Sequence, residues 1–190
     1  MPRLYLDHGN GVGAPIMISM SRLPKRKSVR LREYDYSRPG AYFVTICSQN
    51  RGDVFGIVSG IEIQRNRYGD IVADCIRLLP DRFTCVKVDA FVVMPNHIHC
   101  IIVMEDCVPS ASDAVPPRES LGRIIAYLKH KSTKQINEIA DTLGGRIWQR
   151  NYYEHVIRNE DELRKVRQYI ENNPAKWAYD KYNPGRNRQS

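Results

Sequence analysis

Two strongly apolar segments, CVKVDAFVVM (85–94) and HIHCIIVM (97–104), are separated only by Pro95-Asn96. β-Branched residues dominate both, and so short a break leaves room only for a tight turn, so the pair is expected as an antiparallel hairpin. A hairpin needs further strands and helices to cover it, and the rest of the chain offers them. AYFVTIC (41–47), after Pro39-Gly40, reads as a buried strand, while VFGIV (54–58) and IEIQ (61–64), joined at Ser59-Gly60, read as a small hairpin. Tyr68, Val72, Cys75, Ile76 and Leu79 recur at helical spacing, and Pro80 stops that helix. Leu121, Ile124, Ile125, Leu128, Ile136 and Ile139 mark a long amphipathic helix. Trp148 and YYEHVI (152–157) suggest a last strand. A final helix opens at Asn159, where Asn-x-x-Glu forms a capping box with Glu162, and closes at Asn173-Pro174.

The order is β-α-β-β-α-β plus one helix. That predicts an α+β, ferredoxin-like split β-α-β fold: an antiparallel sheet with helices on one face and an extra C-terminal helix. At 190 residues the chain suits one domain, expected over 39–174, with a basic arm at 1–38 and a basic tail at 175–190. Five cysteines at irregular spacing, with no Cys-x-x-Cys pair, suggest neither a disulfide framework nor a zinc knuckle, so a reducing cytoplasm is the expected location. No run approaches the ~18 apolar residues of a membrane helix.

Charge narrows the function. Lys and Arg outnumber Asp and Glu by 29 to 21, a balance of +8 that favours a polyanionic partner, nucleic acid first and a membrane surface second. The excess is visible at 22–38, where Arg22, Lys25, Arg26, Lys27, Arg30 and Arg32 are followed by Tyr34 and Tyr36. Such a stretch is either a solvated arm or an arm that grips a nucleic-acid backbone. Its tyrosines, with Trp177 and Tyr182, either stack on exposed bases or pack locally.

Two imidazoles in one strand carry the first hint of chemistry. His97 and His99 are two residues apart, so they project from one face with Ile101 and Val103, while Ile98, Cys100 and Ile102 face the other way. Rings so placed can share a divalent cation, or they form a hydrogen-bonded core pair. On the final helix Leu163, Val166 and Ile170 make the buried stripe, with Tyr169 and Asn173 one turn apart on its flank. An amide oxygen is a reasonable third donor to a hard cation such as magnesium or manganese. The plainer alternative makes Tyr169 a boundary residue and Asn173 a helix end.

MPNHIHCIIVM (94–104), IWQRNYYEHVIRNEDEL (147–163) and YIENNP (169–174), with RKSVRLREYDYSRPGAYFVTICSQNR (26–51), resemble the single-tyrosine HUH transposases, specifically the REP-associated tyrosine transposase, IS200-like branch. The resemblance runs from about 26 to 184. It implies that His97 and His99 bind the metal, that Tyr169 is the nucleophile, and that Asn173 takes the position where some relatives place a glutamine as third ligand. His155 matches a recurrent family position near the site, either accessory to catalysis or structural. The implied activity is metal-dependent nicking and rejoining of single-stranded DNA through a 5′-phosphotyrosine, for transposition or processing of REP-type hairpins. The implied partner is single-stranded DNA, with a hairpin, bound by a monomer or a homodimer; no membrane is involved. The rival expectation is a non-catalytic nucleic-acid-binding module of ferredoxin-like fold, although no RNP-like aromatic run is present. A small zinc hydrolase is disfavoured, since no general-base glutamate accompanies the histidines as in His-Glu-x-x-His.

Overall fold

The computed structural model describes residues 34–106, 119–142 and 144–185. Four strands form the main sheet: β1 (Gly40–Cys47), β4 (Val86–Val93), β5 (His97–Met104) and β6 (Tyr153–Ile157). Their spatial order is β4-β5-β1-β6 and every neighbouring pair is antiparallel. A two-stranded hairpin, β2 (Gly56–Ser59) and β3 (Glu62–Arg65), turns at Gly60 with φ +64°, a conformation glycine accepts without strain. The helices are α1 (Arg67–Arg77), the short α2 (Leu79–Arg82), α3 (Leu121–Ile139) and α4 (Glu160–Glu171). This is the ferredoxin-like order expected from the sequence.

Side-chain alternation divides the interior in two. Tyr42, Val44, Ile46, Ile98, Cys100 and Ile102 point to one face, where α1 and α3 cover them through Val72, Ile76, Ile124 and Leu128. The opposite face carries Phe43, Ile101 and Val103 beneath Leu163, Val166 and Ile170 of α4. The extra helix therefore lies across the sheet from the other two. Its first turn is held as its sequence suggests: Asn159 accepts from the Glu162 amide at 2.9 Å, and Glu162 accepts from the Arg158 amide at 2.8 Å. A β-bulge in β4 between Val88 and Ala90 accommodates the extra residue Asp89, which accepts two hydrogen bonds from Arg167 of α4, at 2.8 and 2.6 Å.

Three local expectations shift. Pro80 opens α2 instead of ending a helix, because a proline in the first turn forfeits no helical hydrogen bond. Trp148 makes only an isolated bridge to Ser48, so β6 begins at Tyr153. Cys85 is disulfide-bonded, while Cys47, Cys75 and Cys100 are free. Among the described residues no helix is long and apolar enough to cross a membrane.

Candidate metal and tyrosine site

β5 delivers both imidazoles to the α4 face, where neighbouring strands enclose them. Cys47 pairs with His97 and Thr45 with His99 in the β1 register. The two Nε2 atoms lie 3.1 Å apart, and neither ring is appreciably exposed. Asn96 sets the orientation of the first. Its Nδ2 donates to the carbonyls of Arg51 at 3.2 Å and Tyr182 at 2.8 Å, so its Oδ1 is the atom that faces His97 Nδ1, 2.9 Å away. That oxygen can only accept, hence His97 carries its proton on Nδ1 and presents a bare Nε2. The ring of His99 is fixed by a 2.8 Å hydrogen bond between Nδ1 and the Thr45 hydroxyl, and by Phe43, stacked at 5.3 Å. Burial drives the His97 pKa down to about 3, helped by the positive charges of Lys181 and Arg51. His99 also falls well below its ordinary value, through burial first and His97 second. Both rings are neutral at physiological pH, the form a metal requires.

Tyr169 approaches from α4. Its hydroxyl lies 3.3 Å from His99 Nε2, its ring stands edge-on to Phe43, and the residue remains 39% exposed. Burial raises the phenol pKa and the Asp180 carboxylate adds to the rise, whereas the Asn173 amide opposes it. Beyond α4, a 3₁₀ segment (Pro174–Tyr179) turns the chain back over the histidines. The Tyr182 and Trp177 rings lie 4.6 and 6.0 Å from that of His97. Asp180 comes with them: its ligating oxygen and one ring nitrogen from each of His97 and His99 all lie within 4.8 Å of one another. The Tyr182 amide donates to Asp180 Oδ1 at 2.7 Å and fixes the carboxylate. Asn173 is buried, its Nδ2 3.5 Å from Asp180 Oδ2, and its Oδ1 has no hydrogen-bond partner.

These donors suit a divalent cation. Two nitrogens each ~2.1 Å from one ion stand about 3.0 Å apart when they meet at a right angle, close to the separation of the histidines. A carboxylate within reach and an unsatisfied amide oxygen complete a nitrogen–oxygen set of the kind manganese and magnesium accept.

The fold thus gathers His97, His99, Tyr169 and Asn173, all singled out from the sequence. His155 is engaged elsewhere, its Nε2 2.6 Å from Glu162 Oε1, tying β6 to the start of α4. Tyr34 and Tyr36 cluster with Tyr42 on the opposite face of the sheet, with ring centroids 4.9 to 6.5 Å apart. Arg22, Lys25, Arg26, Lys27, Arg30 and Arg32 lie outside the described residues. Sequence reasoning passed over Asp180 and Asn96. Asp180 is the one acid in the basic stretch 175–190, a signal legible in the sequence, whereas Asn96, in the Pro95-Asn96 turn, carries none.

The family described as Transposase IS200 like matches residues 63–173, more than half of the chain. An uncharacterised protein of Haemophilus influenzae is 36% identical over 169 residues, covering 82% of this chain and 91% of its own length. The REP-associated tyrosine transposase of Escherichia coli is 26% identical over 146 residues, covering 77% of this chain and 73% of its own. A solved structure of a REP-associated tyrosine transposase bound to a REP hairpin shares the fold, with a TM-score of 0.55 at 23% identity over 80% of this chain and 76% of that one.

Proposed function

The chain belongs to the IS200-like transposase family, and on that premise we propose that it cuts and rejoins single-stranded DNA through Tyr169, with a manganese or magnesium ion held by His97, His99 and Asp180. The observation that carries this reading is the 3.3 Å approach of the Tyr169 hydroxyl to His99 Nε2, itself 3.1 Å from His97 Nε2. A nucleophile has to stand beside the donors that would hold a scissile phosphate, and Tyr169 places its hydroxyl within hydrogen-bonding distance of one of them. Bound there, the cation would offset charge building on the phosphate oxygens.

The remaining roles fall to the chain's own groups. Tyr169 loses its proton and its oxygen attacks phosphorus, while the bond to the 3′ oxygen breaks and that oxygen leaves as a 3′-hydroxyl. One phosphodiester replaces another, so the step is close to isoenergetic and the reverse reaction rejoins strands. Arg51 and Lys181 flank the Tyr182 ring at 5.3 and 4.9 Å and supply positive charge for a phosphate arriving at the pair. Asn173 borders the same space and orients Asp180, with its free oxygen as a further donor. The related hairpin complex makes a DNA hairpin with a single-stranded flank the substrate to test first.

The test is covalent capture. Wild-type protein incubated with a labelled single-stranded hairpin substrate and manganese should give an adduct that survives SDS and maps to Tyr169, and Tyr182→Phe should still form it. Adduct formation by Tyr169→Phe would overturn the assignment.

A further inference from the structure

A second feature of the fold faces solvent beside this site. The segment 144–151 runs alongside α3, tied to it at both ends and, through Trp148, in the middle. At one end Asn137 Nδ2 donates to the Gly145 carbonyl at 3.0 Å. At the other, Lys129 Nζ donates to the carbonyls of Gln149, Arg150 and Asn151 at 2.9 to 3.3 Å. Glycine suits the first tie. Gly144 has φ +73°, and a Cβ on Gly145 would sit 2.9 Å from the Asn137 side-chain oxygen. The space enclosed is a groove of about 1020 Å³.

Its lining is one-signed. Lys129, Arg146 and Arg150 border it beside His130, and no carboxylate among the described residues does. The remaining border is mostly amide, hydroxyl and backbone, with Gln49 and Asn50 at the β1 end. That end leads to the histidines. The next residue, Arg51, holds its guanidinium 5.3 Å from the Tyr182 ring, which lies against His97. The one aromatic residue lining the groove, Trp148, is buried, with Nε1 donating to Ser132 and its ring against Phe55. It therefore offers no stacking platform for a base.

We propose that this groove is a phosphate track for single-stranded DNA, seating the flank that runs away from the cleaved phosphate. The inference rests on the function proposed above and extends its substrate contacts. A groove bordered by Lys129, Arg146 and Arg150, whose Gln49 and Asn50 border is next in sequence to Arg51, suits a flexible polyanion held by its backbone, without preference for base. A duplex, stiff over this length, is less able to lower one backbone into such a groove.

Anisotropy titrations of full-length protein with labelled dT16, dT4 and a 16-base-pair duplex test it, comparing wild type with Arg146→Ala/Arg150→Ala. Both arginines are exposed and outside the cation and tyrosine site, so the melting temperature of the variant should match wild type. We expect dT16 affinity to fall roughly tenfold and its salt slope to flatten by about 1.4, two phosphates' worth on a single strand. dT4 affinity should change little, and 4-thiothymidine in dT16 should crosslink to residues 146–151. Unchanged dT16 affinity and slope, or no dT16 binding by wild type, would overturn the track, and an equal loss on the duplex would overturn its single-strand character. The nucleophile reading fails separately, by the absence of a Tyr169 adduct in wild type.

Discussion

Arg167 of α4 donates to both carboxylate oxygens of Asp89, the residue released by the β4 bulge, and so the helix bearing Tyr169 is tied laterally to the sheet bearing His99. Such an exposed pair adds little to global stability, but its fork geometry restricts how α4 lies on the sheet. Arg167→Ala should leave the melting temperature nearly unchanged and slow adduct formation roughly tenfold, since small misplacements of a nucleophile are costly. Single-turnover kinetics on the hairpin substrate, read beside DNA affinity, check this. An equal loss in affinity and rate would mean that Arg167 acts on binding instead.

Asn96 is expected to govern cation affinity without touching the cation. Asn96→Leu removes the acceptor that keeps the His97 proton on Nδ1. Manganese affinity measured by calorimetry should drop by about 10- to 100-fold, the usual cost of losing such a partner. Asn96→Asp, which retains an acceptor, should recover part of the loss.

Asp180 and Asn173 can be told apart by the same titration. Asp180→Asn removes the charge yet keeps the size, and is expected to weaken manganese binding by at least about tenfold, in line with the dependence of such sites on ligand charge. Asn173→Ala should weaken it less. The reverse ranking would transfer the third position to Asn173, as the sequence resemblance implies.

Metal-free protein should lose stability in acid through its two histidines. His97 titrates near 6.5 when unfolded and at about 3 when folded. Its contribution is therefore complete above pH 6.5 and is lost as pH falls towards 3, because the unfolded chain takes up the proton first. The slope approaches about 1.4 kcal/mol per pH unit for each such histidine. Thermal melts from pH 7 to 4 should show the decline, and His97→Leu, with no proton to bind there, should flatten it. A slope identical to wild type would contradict the neutral, buried state of His97.

Legibility in the sequence followed the range of the physics involved. Strand alternation places His97 and His99 on one face whatever surrounds them, and helical spacing does the same for Tyr169 and Asn173, so those relationships could be read directly. The stripe of Leu163, Val166 and Ile170 announced a buried helix face but could not say which side of the sheet it would cover, because both sides carry apolar residues. Asp180 reaches the histidines only because the chain turns back after Pro174 and Tyr182 settles against His97, which is tertiary packing with no local periodicity. The carbonyl of Arg51 reaches Asn96 from a left-handed pair, Asn50 and Arg51, at φ 57° and 55°, a conformation that residue type alone does not foretell.

The division of the interior into two separately packed layers has an evolutionary consequence. The imidazoles sit in a strand bonded on both sides, whereas the phenol belongs to α4, which rests on the smaller apolar cluster. Mutational drift confined to that smaller cluster would misalign the phenol while the central strands stayed folded. A lineage could in this way lose strand cleavage by a few substitutions and still inherit an intact histidine pair. Among descendants of such a fold, His97 and His99 are therefore poor markers of retained activity, and the packing beneath Tyr169 is the better one.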